Sequence, residues 1–228
     1  MPSPDADLKI QLDDGGSVSG LLQAPAKPIA CFVLAHGAGA GMTHPFLAAV
    51  AARLGDQGVA TLRYRFPYME RGSKRPDHPQ VAQATVRAAV AAAQHLVPGA
   101  PVFAGGKSFG GRMTSQAQAE SPLPGVRGLV FLGFPLHAPG RPSDERGEHL
   151  FQVQVPMLFL QGTRDDFASL DLLRPLVERL GERATLELIP DADHSFRVPA
   201  RTGKGSEEIL AGMMDRLLSW IESACGRR

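Results

Sequence analysis

The run PIACFVLA at residues 28–35 is apolar at every position. A strand with no polar side has to be covered on both faces, so this run belongs inside a sheet that is sandwiched between layers. The same texture returns in VATLRY (59–64), APVFAGG (100–106), VRGLVFLG (126–133) and VPMLFLQG (155–162), with ATLELIP (184–190) last. Between these runs, apolar residues fall at helical spacing. Phe46, Val50 and Leu54 mark a helix from Pro45 to about Asp56, ended by Gly58. Val81, Ala84, Ala88 and Ala92 mark one face of a long alanine-rich helix, with Asp77 as its cap and Pro79 in its first turn. Helices are also expected at about Gly110–Glu120 and Ser169–Leu180, and an amphipathic helix bearing Ile209, Met213, Leu217 and Trp220 closes the chain.

Only the opening departs from this alternation. LKIQL and SVSGLLQ flank DDGG, which reads as an antiparallel hairpin with a glycine-rich turn. Eight strands alternating with helices predict an α/β fold: a mostly parallel sheet with an N-terminal antiparallel hairpin and helices on both faces. No repeat, low-complexity tract or linker interrupts the series, so residues 1–228 read as one domain without a separate cap.

The charge balance excludes several classes of partner. Twenty-four Lys and Arg against 23 Asp and Glu leave a net charge of +1. A nucleic-acid or anionic-membrane binder would carry a clear basic excess. The N-terminal MPSPDADLKI has no basic stretch leading into an apolar one, and no run of about 18 apolar residues occurs, so a cytoplasmic protein without a membrane span is expected. Cys31 and Cys225 read as reduced bystanders, with a long-range bridge as the other possibility.

Function collects at the carboxyl ends of such strands. At one of them, GGKSFGG sets Ser108 among Gly105, Gly106, Gly110 and Gly111. Gly106, Lys107, Ser108, Phe109 and Gly110 form G-x-S-x-G between a predicted strand and a predicted helix, the context of a nucleophile elbow. Neighbouring chains pass closely at so sharp a turn, so bulky residues at Gly106 and Gly110 would collide, and the helix start favours a developing oxyanion. A phosphate loop does not fit, because Lys107 precedes the serine in the wrong frame.

A serine hydroxyl needs a base held by a third group. LFLQGTRDDF places Asp165 and Asp166 just past one strand, and LIPDADHSF places His194 just past another, in the order Ser, Asp, His. Asp165 is favoured as the acid, with Asp166 capping the next helix and Asp193 as second choice. Oxyanion donors are expected at the N–H of Phe109 and, from the loop AHGAGAGMTHPF, at Ala38. His36 in that loop reads as a hydrogen-bonding residue rather than a second base. His36, Gly37, Lys107, Arg65 and Tyr68 are assigned to the lining of the substrate site. No cofactor is implied, and no clustered His/Asp spacing suggests a metal.

HGAGAG, GGKSFGGRM, QGTRD and DADHSF together resemble the α/β-hydrolase superfamily in its small, dienelactone-hydrolase-like branch. LRYRFPYMERGSKRPD and GFPLHAPGRP are similar more narrowly to a compact, lidless bacterial group. That group is in turn similar to a subunit of a eukaryotic chromatin acetyltransferase complex. The resemblance spans essentially the whole chain. It implies Ser108 as nucleophile, Asp165 as acid, His194 as base and oxyanion donors at Phe109 and Ala38. Dienelactone hydrolases themselves carry cysteine at the elbow.

Residues 134–154, FPLHAPGRPSDERGEHLFQVQ, fall where many lipases insert a lid; three prolines and two glycines make an ordered loop. The expected activity is hydrolysis of a small carboxylic ester, thioester or lactone, with a small-molecule acyl substrate as partner. The alternative is a catalytically silent fold kept as an interaction module. Lys107, Arg112, Arg63 and Arg65 raise an anionic-substrate pocket. The competing reading turns Lys107 into a neighbouring loop and pairs the arginines with carboxylates.

Overall fold

A computed structural model describes residues 5–226; the stretch read above for a leader begins outside them. The strands are β1 (Ala6–Gln11), β2 (Ser17–Gln23), β3 (Ala30–Ala35), β4 (Val59–Tyr64), β5 (Val102–Lys107), β6 (Val126–Leu132), β7 (Met157–Gly162) and β8 (Ala184–Ile189). They form one sheet in the order β1-β2-β4-β3-β5-β6-β7-β8. β1 pairs antiparallel with β2, and β2 antiparallel with β4; every later pairing is parallel. β3, β4 and β7 are buried along their whole length, β3 as its unbroken apolar run requires and the others with Thr61, Arg63 and Gln161 buried among apolar neighbours.

The helices are α1 (Pro45–Asp56), α2 (Pro67–Glu70), α3 (Pro79–Leu96), α4 (Phe109–Glu120), α5 (Leu170–Leu180) and α6 (Ser206–Gly226). Two apolar clusters cover the two faces of the sheet. One takes in Val86, Ala89, Met113, Ala117, Leu173 and Leu176 from α3, α4 and α5. The other takes in Leu47, Val50 and Leu54 from α1 with Ile209, Met213, Leu217 and Trp220 from α6. Among the described residues no helix is long and apolar enough to cross a membrane. Cys31 and Cys225 are both free thiols.

Three local expectations are corrected. The buried stripe of α3 is Ala82, Thr85, Val86, Ala89, Val90 and Ala93, while Val81 is 42% exposed. Alanine repeats on every face of this helix, so the inward side is marked by the larger Thr85, Val86 and Val90. Asp77 does not cap α3, whose N-cap is His78 with no side-chain bond. Its carboxylate instead accepts the Tyr68 N–H at 2.7 Å and pairs with Arg71. Asp166 is likewise no cap: the N-cap of α5 is Ser169, whose N–H donates to His137 Nε2 at 2.8 Å. The loop before β7 contains a 3-10 helix, Glu145–Gln152, which packs on α4.

Candidate active site

β5 ends in a turn that no ordinary residue adopts without strain: Ser108 has φ 51° and ψ −116°, and α4 begins at the next residue. The turn holds because the chains around it touch. A Cβ on Gly106 would lie 2.2 Å from the Ala35 carbonyl oxygen, and one on Gly110 would lie 2.6 Å from that of His36. Glycine at both positions lets β5 and α4 press against the end of β3, which leaves the hydroxyl no freedom to wander.

Two loops bring partners to it. His194 Nε2 lies 2.8 Å from Ser108 Oγ, and His194 Nδ1 lies 2.7 Å from Asp165 Oδ2. Arg164 N donates to Ala192 O at 2.9 Å and Asp191 N to Thr163 Oγ1 at 2.8 Å, so the loops after β7 and β8 are stitched together. Phe167 stacks on the His194 ring, with centroids 4.2 Å apart. The Asp165 side chain is fully buried. Its Oδ1 accepts the Phe167 N–H at 2.8 Å, and its Oδ2 also accepts from Gln161 Nε2 at 2.6 Å. A carboxylate that only accepts at Oδ2 puts the imidazole proton on Nδ1 and leaves Nε2 as an acceptor facing the serine. Asp193 points elsewhere; its Oδ1 accepts the N–H groups of Ser195 and Arg197.

Phe109 is the first residue of α4, where the N–H has no partner within the helix. The second expected donor sits in a loop that His36 organises. His36 is fully buried. Its Nε2 accepts the Phe66 N–H at 3.1 Å, so Nδ1 carries the proton and donates to Gly37 O at 2.8 Å. Holding that carbonyl fixes the peptide whose other end is the Ala38 N–H. Burial pulls the His36 pKa down to about 4, with Arg65 opposing its charge further, so the ring stays neutral. Tyr68 donates to Ala38 O at 2.8 Å, holding the next peptide.

A cavity of about 340 Å³ opens over Ser108, and among the residues lining it are Gly37, Ala38, Lys107, Phe46, Leu47 and Phe167. Of the five residues assigned to substrate contact, Gly37 and Lys107 line it. His36 and Tyr68 are a correction: both are fully buried and spend their polar atoms on the loop. Arg65 is another, lining a separate hollow beside Lys9, Ser19 and Met42. The Lys107 ammonium donates to His194 O at 2.6 Å. Burial lowers its pKa to about 8, against the opposing pull of Asp165 and Asp193. Arg63 pairs with Asp5 and donates to Met42 O. The placements of Lys107 and Arg63 follow the competing reading of the basic residues. Among the described residues no group of three His, Cys, Asp or Glu is arranged to hold a metal ion.

Gln161 escaped the sequence reading. Its side chain, fully buried, accepts the Phe134 N–H at 2.8 Å and donates to Asp165, joining the ends of β6 and β7. A polar residue at the end of an otherwise apolar strand was the available signal.

Solved structures with this architecture include a dienelactone hydrolase from Anabaena variabilis, 21% identical with a TM-score of 0.76, the match covering 97% of this chain and 98% of that one. An α/β serine hydrolase without a lid from Xanthomonas campestris is 21% identical at a TM-score of 0.73, covering 95% and 94%. A serine hydrolase homologue from Coxiella burnetii is 18% identical at 0.75, covering 95% and 97%. At such identities these likenesses speak for the fold, which is that of the α/β hydrolases. The sequence itself matches the family model described as "Alpha/beta hydrolase domain" over residues 28–222. The chain therefore belongs to the alpha/beta hydrolase domain family.

Proposed function

We propose that the chain is a serine hydrolase that cleaves a small carboxylic ester, thioester or lactone through an acyl-enzyme on Ser108. The observation that carries this reading is the unbroken relay from Ser108 Oγ through His194 to Asp165, at 2.8 and 2.7 Å. In the proposed reaction, His194 Nε2 takes the hydroxyl proton as Oγ attacks the substrate carbonyl. The carbonyl oxygen gains its charge against the N–H groups of Phe109 and Ala38. His194 then returns the proton to the leaving group, and Asp165 stabilises the imidazolium in the interval. Water, deprotonated by the same nitrogen, releases the acyl group and restores the serine.

The cavity's lining supports a neutral substrate. Lys107, the one lysine or arginine lining it among the described residues, commits its ammonium to the His194 carbonyl. We read residues 1–228 as one domain without a separate cap, its site reached from solution by a small molecule. A fluorophosphonate probe is expected to label Ser108 in the wild type. Ser108→Ala is expected to lower turnover of a short p-nitrophenyl ester by about ten-thousand-fold or more, with the melting temperature nearly unchanged. A folded wild-type protein that takes no label would overturn the hydrolase reading in favour of an interaction module.

A further inference from the structure

A second hollow of about 330 Å³ adjoins the cavity over Ser108, and His44, Phe46 and Ser195 line both. The shared walls make them two halves of one trough, with the Phe46 ring between. That ring stacks on Phe196, centroids 5.7 Å apart and planes 16° apart. Phe196 has φ 60°, a conformation few bulky residues adopt. What holds it is specific: its N–H donates to Asp193 O at 2.9 Å, and the Lys107 ammonium lies over its ring, 5.4 Å from the centroid. The loop that presents His194 to the serine thus also fixes the aromatic pair that divides the trough. A strained residue held by several independent contacts marks a wall whose shape has a use.

The far half is apolar where it is deep. Ala49 comes from α1, and Leu210 and Met213 come from α6. Its charged residues, Arg197 and Glu207, are exposed at the rim. Such a hollow lies within the ordinary size of small-ligand sites and suits hydrocarbon rather than a charged group.

We propose that the hollow beyond Phe46 is a second subsite for an uncharged aliphatic or aryl arm of the ester, and that Phe46 determines how long an arm is taken. This rests on the serine-hydrolase reading above. The test measures kcat/KM along two series: p-nitrophenyl esters from acetate to decanoate, and acetates of alcohols of rising length. The first series places the arm on the acyl side and the second on the alcohol side. In one of them, Ala49→Trp, which fills the far hollow from α1, is expected to lower the long-to-short ratio of kcat/KM about tenfold. In the same series Phe46→Ala is expected to shift the optimum to longer arms. Leu210→Trp fills the same space from α6 and replaces Ala49→Trp if that variant does not fold. A ratio unchanged within about twofold in both series, in a filled variant that melts like the wild type, overturns the subsite. Fluorophosphonate labelling of Ser108 together with that flat ratio removes the subsite alone; absence of labelling removes the hydrolase and the subsite together.

Discussion

Gly133 shows how little space the site leaves between its parts. A Cβ there would lie 3.1 Å from Lys107 Nζ and 3.4 Å from both Asp165 Oδ2 and His194 Nδ1, and the residue has φ 73°. Gly133→Ala is expected to lower turnover at least tenfold while costing about 1 kcal/mol of stability; ester kinetics and a urea titration on the same sample separate the two effects. Gln161→Leu strips Asp165 of one donor and leaves the buried Phe134 N–H without its acceptor. Its expected cost is about 1–3 kcal/mol, with turnover falling as well, and Gln161→Glu serves as the comparison that keeps an acceptor for Phe134. At this scale the meeting of Ser108, His194 and Asp165 side chains was legible because each sits just past a strand. Gln161 was not, since its role depends on Phe134, whose N–H it meets 27 positions away and which no local pattern connects to it. Tyr68 and Arg65 were misplaced for a related reason: residues after β4 leave the sheet in different directions, which spacing does not reveal.

All eight strands were legible at the level of elements, the inner ones because a mostly apolar run has few other uses and β1 and β2 because their short runs flank a glycine-rich turn. The helices were legible only where their two sides differ in composition. α6 shows Ile209, Met213, Leu217 and Trp220 on its buried side, as the sequence suggested. α3 does not advertise its inward face, because alanine is small enough to sit on either. The structure makes the assignment testable: Val81→Ala is expected to change stability by less than about 0.5 kcal/mol, and Val86→Ala to cost about 2 kcal/mol. Equal effects in chemical denaturation would contradict the buried stripe. The four-residue α2 and the 3-10 helix at Glu145–Gln152 are too short for a periodic signal, so they read as loop.

For the molecule as a whole, near-neutral net charge leaves acid stability to particular buried groups. Burial lowers the pKa of His36 and of His149 to about 4, with Arg112 adding to the effect on His149. Between pH 6.5 and 4 the unfolded chain takes up protons at these rings and the folded chain does not. Stability is therefore complete above pH 6.5 and is lost as pH falls toward 4, by up to about 3 kcal/mol for the fully buried His36. Urea midpoints at pH 7 and pH 4.5 measure the loss, which His149→Gln is expected to reduce. Ser108, Asp165 and His194 stand just past the ends of β5, β7 and β8, whereas Ala49 and Leu210, which line the hollow beyond Phe46, belong to the outer helices α1 and α6. Combinatorial libraries at Ala49, Leu210 and Phe46 are therefore expected to reshape the hollow without touching Ser108, Asp165 or His194, and most members of such a library are expected to fold.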